Sequence, residues 1–176
     1  TGTFSGTVTG TGAPAGIENV SIDVFDAGGV WVAGAGTNSN GVYTTPELAP
    51  GDYYATTFAP PPFINELFDD SPCFFCDVTA GTPITVTAGN DTSGIDFDLA
   101  AGGFFSGTIT ATGSGDELAG IIVDIYDSAG VWLANPTTDS QGDYRSPGLP
   151  AGDYHASTWN TDGFINEVFD DQPCPP

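Results

Sequence analysis

The sequence repeats itself at a fixed offset of 101 residues, and that constrains the fold more than any compositional figure. Gly2-Thr3-Phe4-Ser5-Gly6-Thr7 returns as Gly103-Phe104-Phe105-Ser106-Gly107-Thr108. Gly29-Val30-Trp31 returns as Gly130-Val131-Trp132. Phe63-Ile64-Asn65-Glu66-Leu67-Phe68-Asp69-Asp70 returns as Phe164-Ile165-Asn166-Glu167-Val168-Phe169-Asp170-Asp171. Aligned without gaps, 34 of 75 pairs are identical, too many for a chance echo. Solenoid units run roughly 20–50 residues, so a repeat of this size is a domain. The 176 residues therefore divide into copy 1 at 1–101 and copy 2 at 102–176. Ala-Gly-Ile occurs at Ala15–Ile17 and again at Ala119–Ile121, which predicts a compensating three-residue shift between the copies there. Copy 2 has no counterpart of residues 76–101, a stretch that includes Pro83–Val86 and Gly94–Leu99.

Within each copy the apolar residues alternate. Val20, Ile22 and Val24 face one way and Ser21 and Asp23 the other, and Val123 and Ile125 with Asp124 and Tyr126 repeat the arrangement. Period two is the mark of a half-buried strand. Asp26-Ala-Gly-Gly and Asp127-Ser-Ala-Gly read as hairpin turns, as do Asn40-Gly41 and Gln141-Gly142. Further strands are expected at Thr3–Thr9, Phe105–Thr110, Val30–Ala33, Val131–Ala134, Val42–Thr44, Asp143–Arg145, Tyr53–Phe58 and Tyr154–Trp159. No stretch has a 3.6-residue apolar period. The expectation is an all-β chain of two tandem seven-stranded antiparallel sandwiches, the first ending in the strand Gly94–Leu99 and the second lacking its last strand or strands.

These residues carry a resemblance. Gly-Thr-Phe-Ser-Gly-Thr-Val, Ile-Asp-Val-Phe-Asp-Ala-Gly-Gly, Asn-Ser-Asn-Gly-Val-Tyr and Leu-Ala-Pro-Gly-Asp-Tyr-Tyr in copy 1 resemble the carboxypeptidase regulatory-like (transthyretin-type, prealbumin-like) domain. Thr138-Asp139-Ser140-Gln141-Gly142-Asp143-Tyr144 and Gly148-Leu149-Pro150-Ala151-Gly152-Asp153-Tyr154 repeat it in copy 2. The resemblance implies a Greek-key prealbumin-like fold and secreted, non-catalytic use in bacteria as spacers, stalks, adhesin repeats or appendages of enzymes. It is specific for fold and weak for function. Related collagen-adhesin repeats often carry a Lys–Asn isopeptide bond, which this chain, having no Lys, excludes.

Charge narrows the function. Asp and Glu number 23 against a single basic residue, Arg145, for a formal net charge of −22. Such a chain cannot release phosphate counterions, so nucleic acid is excluded as a partner. Anionic membranes repel it, and no apolar run approaches the roughly 20 residues of a spanning helix, so membrane insertion is not expected. Aromatics make up 12%, far from the composition of a disordered acidic tail. The only imidazole, His155, has Tyr54 as its counterpart, so no acid–base role is shared between the copies and an enzyme is not expected.

Several residues are candidates for specific roles. Cys73-Phe-Phe-Cys76 is open to three readings: a local disulfide, favoured by an extracellular composition, a redox pair, or half a zinc site. Cys174 is its partner in copy 2 and is expected to be unpaired or intermolecular. Glu66, Asp69 and Asp70, with their copies Glu167, Asp170 and Asp171, are calcium candidates, because clustered loop carboxylates supply the hard oxygens Ca²⁺ takes. The bland reading is a solvated acidic skin, and calcium is the one candidate cofactor. Asn38 and Asp139 read as turn formers. Trp31, Trp132 and Trp159 sit at strand positions and are expected in packing contacts, with a sugar-stacking platform as the alternative. Phe74 and Phe75 are expected at an exposed apolar tip. Asn90 and Asn19 lie in glycosylation sequons, Asn90 the better placed.

The functional expectation is a secreted or surface structural protein. It would be the subunit of a filament or the repeat of a stalk or adhesin, with self-association or further tandem repeats as its partners. A sandwich short of its last strand exposes an edge. Either a neighbour fills it, with Thr1–Thr9 or 83–99 as donor, or the chain was trimmed. The alternative is a carbohydrate- or partner-binding module with calcium-supported loops.

Overall fold

A computed structural model describes residues 1–13, 15–74, 76–160, 163–169 and the backbone of 172–173. Strands and turns make up the described chain, with one short 3-10 turn at Val78–Ala80. It separates into two compact units, Thr1–Gly102 and Gly103–Pro176.

Unit 1 contains β1 (Thr3–Gly10), β2 (Ser21–Asp26), β3 (Trp31–Gly36), β4 (Val42–Thr44) and β5 (Gly51–Phe58). These are followed by β6 (Glu66–Leu67), β7 (Ser71–Pro72), β8 (Ile84–Val86), β9 (Asp91–Ser93) and β10 (Phe97–Leu99). One sheet runs β3-β2-β5-β6-β7, with β8 also pairing β5. The other is centred on β1, which pairs antiparallel with β4 on one side. On its other side β1 takes β9 and then β10, both parallel to it. The sandwich is antiparallel apart from this closing edge. Inward residues from both sheets, among them Phe4, Val8, Ile22, Val24, Ile84 and Phe97, form one cluster with at most 2% exposure.

Unit 2 repeats the plan with β11 (Ser106–Thr108), β12 (Ile122–Asp127), β13 (Trp132–Ala134), β14 (Asp143–Arg145), β15 (Tyr154–Trp159), β16 (Glu167–Val168) and β17 (Gln172–Pro173). Its sheets are β11-β14 and β13-β12-β15-β16-β17. Among the described residues nothing corresponds to β8, β9 or β10.

The turns are built alike. Asp26 Oδ1 accepts from the backbone N–H of Gly28 and Val30, and Asp127 Oδ1 from those of Ala129 and Val131. Asn38 and Asp139 cap the next turn in the same way, as turn formers do.

The expected three-residue shift is absent. Thr37 Oγ1 accepts from Val20 N–H and donates to the Ile17 carbonyl, while Thr138 Oγ1 accepts from Ile121 and donates to Leu118. The offset therefore stays at 101 through this loop. Asn19 adopts φ +62° and its counterpart Gly120 φ +77°, so the two Ala-Gly-Ile triplets occupy different places. Both copies need a residue that tolerates the left-handed region there, and Asn and Gly do so most readily.

Candidate functional site: the open edge of unit 2

In unit 1 the edge of β1 is closed by residues 87–99, and the closure uses four kinds of contact. The first is close backbone approach: a Cβ on Gly6 would collide with the Ile95 carbonyl, and one on Gly2 with that of Thr87. The second is hydrogen bonding. Ile95 N–H donates to the Ser5 carbonyl at 3.1 Å, Thr7 N–H donates to Asp96 Oδ1 at 2.8 Å, and the Tyr43 hydroxyl donates to the Ile95 carbonyl at 2.6 Å. Burial, with Asp96 and Asp91 nearby, holds that phenol well above its ordinary pKa. The third is aromatic packing, with Phe97 6.0 Å from Phe68 and 6.3 Å from Tyr43.

The fourth contact involves Glu66. Its side chain is buried and Oε1 has no hydrogen-bond partner among the described residues. Burial, with the Asp70 charge, pushes its carboxyl up to about 7, and the backbone N–H of Asp98 offsets part of this.

Unit 2 places the equivalent residues around an open space. Gly107, Tyr144, Ile109, Val168, Glu167 and Phe169 lie among the residues around a cleft of about 350 Å³. Among the described residues, the backbone that crowds the Cβ positions of Gly2 and Gly6 has no equivalent at Gly103 and Gly107. A Cβ on Gly103 would meet nothing within 4 Å, and the nearest atoms to one on Gly107 belong to the Tyr144 side chain, with Cε1 3.1 Å away. The loss of cover is local. Phe4, Val8, Tyr43, Ala55 and Leu67 are buried, but their counterparts Phe105, Ile109, Tyr144, Ala156 and Val168 are only half-buried. Phe169 is 79% exposed where Phe68 is half-buried. Away from the cleft, Ile121, Ile125 and Leu149 stay buried as in unit 1.

The other predicted site residues fall as follows. Cys73 and Cys76 form a disulfide, S–S 2.02 Å, and Phe74 between them is half-buried rather than an exposed tip. Phe75, Asp170, Asp171 and Cys174 lie outside the described residues. Glu66 lies in the strand β6 rather than in a loop, and its N–H donates to Thr57 Oγ1. Asp69 and Asp70 are exposed, and Asp69 accepts from the Thr82 hydroxyl. Among the described residues no group of three His, Cys, Asp or Glu side chains converges to hold a metal.

Trp31 and Trp159 are not core residues but 57% and 49% exposed. Trp159 sits on an outward-facing position of β15, whereas Trp31, in step with the buried Ala33, is turned outward by the bulge at which Val24 faces Ala33 and Phe25 faces Trp31. The indole N–H groups of Trp31 and Trp132 donate to Asp23 and Asp124. Asn19 and Asn90 are both exposed, and the Asn90 amide donates to Thr87 Oγ1 and the Ala88 carbonyl. His155 is exposed on β15, opposite Tyr126.

No protein-family model matches the sequence, and no curated protein matches it. Among solved structures, the Bacillus anthracis TIE protein is similar at 16% identity and TM-score 0.38, over 98% of this chain and 31% of that one. A streptococcal ancillary pilin is similar at 12% identity and TM-score 0.43, over 95% of this chain and 58% of that one. BcpA, the major pilin subunit of Bacillus cereus, is similar at 9% identity and TM-score 0.36, over 99% of this chain and 94% of that one.

Proposed function

We propose that the chain is a non-catalytic structural module of the cell exterior: a subunit of a surface filament or a repeat of a stalk or adhesin, with unit 2 completed by a strand from a neighbour. The observation that carries this reading is the contrast between a closed and an open copy of one fold. An unpaired, half-apolar strand edge is a template for another strand. Such a contact is heterologous, and heterologous contacts that do not close give filaments. The chemistry of the surface supports it. The single guanidinium, Arg145, stacks on Phe104 with Cζ 3.8 Å from the ring centroid, and the imidazole of His155 has a Tyr as its counterpart. Electron microscopy of native material tests the reading. Filaments with an axial repeat of one two-unit subunit support it, and dispersed monomers at every concentration overturn the filament form.

A second reading, a carbohydrate-binding module with calcium on the acidic loops, is favoured by Trp31. Its indole edge lies over Gly34, Asp23 holds its N–H, and the ring remains exposed. A fixed, solvent-facing indole is a surface on which a sugar ring stacks. An oligosaccharide that raises Tm and is lost with Trp31→Ala supports this reading, and the same melt with added calcium tests Asp69 and Asp70.

A further inference from the structure

We propose that β3 of unit 1 is a contact surface for a second copy of this chain. The two copies join edge to edge and antiparallel about Ala35, so that Gly34 of each faces Gly36 of the other. This contact goes beyond the filament reading and does not depend on it.

β3 is the outer strand of its sheet, with β2 on one side and, among the described residues, no strand on the other. The register shows which of its backbone groups are unused. Thr37 N–H donates to the Val20 carbonyl. Ile22 stands opposite Ala35, and at the equivalent place in unit 2 Val123 N–H donates to the Pro136 carbonyl. Hydrogen-bonded and non-bonded pairs alternate along an antiparallel ladder. Ala33 and Ala35 therefore turn their backbone groups toward β2, and Gly34 and Gly36 turn theirs to the open side.

Such an edge pairs with another strand unless something blunts it, and natural edges carry charges, prolines, bulges or short strands to that end. β3 is six residues long, and residues 27–45 hold neither a charged side chain nor a proline. Its one bulge lies at the Trp31 end, away from the glycines. Val30, Trp31 and Val32 add exposed apolar surface beside it. Unit 2 is the contrast. β13 stops at Ala134, and Asn135-Pro136 stands where unit 1 has Gly34-Ala35. One fold thus withholds this edge in one copy and presents it in the other, at positions well inside the sequence. The glycines also point outside the unit. A Cβ on Gly36 would meet nothing within 4 Å, and one on Gly34 only ordinary contacts at 3.7 Å or more. Glycine weakens a strand and commonly marks the close approach of another backbone, and unit 1 itself supplies none here.

Two features select a second copy as the occupant. At a formal charge of −22, copies of this chain repel one another, so contact between them needs a neutral patch. β3 lies in the longest charge-free stretch of the sequence, whereas a basic partner would be drawn to the carboxylates. Gly34-Ala35-Gly36 also reads the same in both directions, which gives the self-complementary patch that a two-fold contact requires. With Ala35 on the axis, Gly34 and Gly36 of opposing copies exchange both backbone hydrogen bonds. The small Ala35 side chains suit the closer spacing of a non-bonded pair, about 4.5 Å between Cα atoms. Val32 of each copy then faces the uncharged Asn38 of the other. A contact of this symmetry closes as a dimer.

Sedimentation equilibrium of the full chain in about 500 mM NaCl, where mutual repulsion is screened, tests the proposal. A reversible monomer–dimer equilibrium is expected, with amide exchange at Gly34 and Gly36 slowing about tenfold or more as the dimer forms. Gly36→Asp places a carboxylate on the edge where there is room for it, and is expected to weaken the dimer about tenfold or more. Gly34→Asn with Ala35→Pro copies into unit 1 the residues that unit 2 carries at this edge, and is expected to abolish the dimer. A dimer that survives both, or that is lost with Phe58→Asp on β5 and kept with the edge variants, is held elsewhere and overturns the proposal. Monomers at every concentration up to about 1 mM overturn it as well. Exchange slowed along Ser106–Thr108 instead of β3 also overturns it, and supports completion of unit 2 by a neighbour's strand. If an edge variant unfolds unit 1, the exchange pattern of the parent chain decides the matter.

Discussion

Glu66 and Glu167 hold equivalent positions in unlike surroundings. The Glu66 carboxyl, buried under β10, is pushed from 4.5 up to about 7, so between those values folded unit 1 holds a proton that the unfolded chain has released. Stability from this group is full below about pH 4.5 and is lost as pH rises through 7. Glu66→Gln is expected to remove that slope and raise the Tm of unit 1 at pH 8, by roughly 1–3 kcal/mol of stability. A melting series across pH 4–8 in which variant and parent run parallel would sink the assignment. Tyr43 and Tyr144 make a second natural pair. Tyr43→Phe strands the buried Ile95 carbonyl and should destabilise unit 1 by about 1–2 kcal/mol, while Tyr144→Phe in the free chain should be near neutral. Equal effects on the two melts would refute the contrast. Neither difference was legible in the sequence, where Glu66 reads as one of a cluster of loop carboxylates. Its burial comes from a strand some thirty positions downstream, which no local pattern announces.

Among the elements, those that alternate over several residues were legible. The expected Val42–Thr44, Asp143–Arg145 and Tyr154–Trp159 match β4, β14 and β15, and the Asx turns fall at Asp26, Asn38, Asp127 and Asp139, within the expected turns. The two-residue strands β6, β7 and β16 were not, because a pair of residues has no period, and β6 and β16 join the long strands through one register point each, such as Thr56 opposite Leu67. The false shift near residue 17 arose because identical triplets outweighed unlike residues that share a backbone conformation. Hydrogen exchange should report the missing cover: amides of β11 are expected to exchange faster than those of β1, and equal protection would contradict an open edge. The Cys73–Cys76 bridge closes only a four-residue ring. Its removal by Cys73→Ser with Cys76→Ser should therefore cost about 2 kcal/mol on the chain-entropy account, less than a long-loop bridge. A loss of several times that in a melt would show that the bridge orders more than its own loop.

For the whole molecule, a formal charge of −22 with one guanidinium makes self-repulsion the largest non-specific term. The melting temperature is expected to rise by roughly 5 °C between about 10 mM and 500 mM NaCl, as the screening length falls below the spacing of exposed carboxylates. A flat response would show that those charges are already neutralised by one another's protons or by bound ions. The doubled organisation and the all-β class were plain from the 101-residue offset and the period of two. The direction of the closing strands was not. Alternation marks a strand without saying which neighbour it meets, and only the fold shows that β9 and β10 run parallel to β1.

That parallel closure also sets an order of events in time. Asp98 reaches Thr9 across 89 positions of chain, so the edge of β1 is the last part of unit 1 that can be completed. Pairings at such separation form slowly, because a long loop must be closed before any contact is gained. A chain emerging from its N-terminus passes through a stage in which β1 to β5 have folded and 84–99 has yet to arrive. At that stage unit 1 presents the same surface as the described residues of unit 2, with the counterparts of Tyr144, Val168 and Phe169 not yet covered.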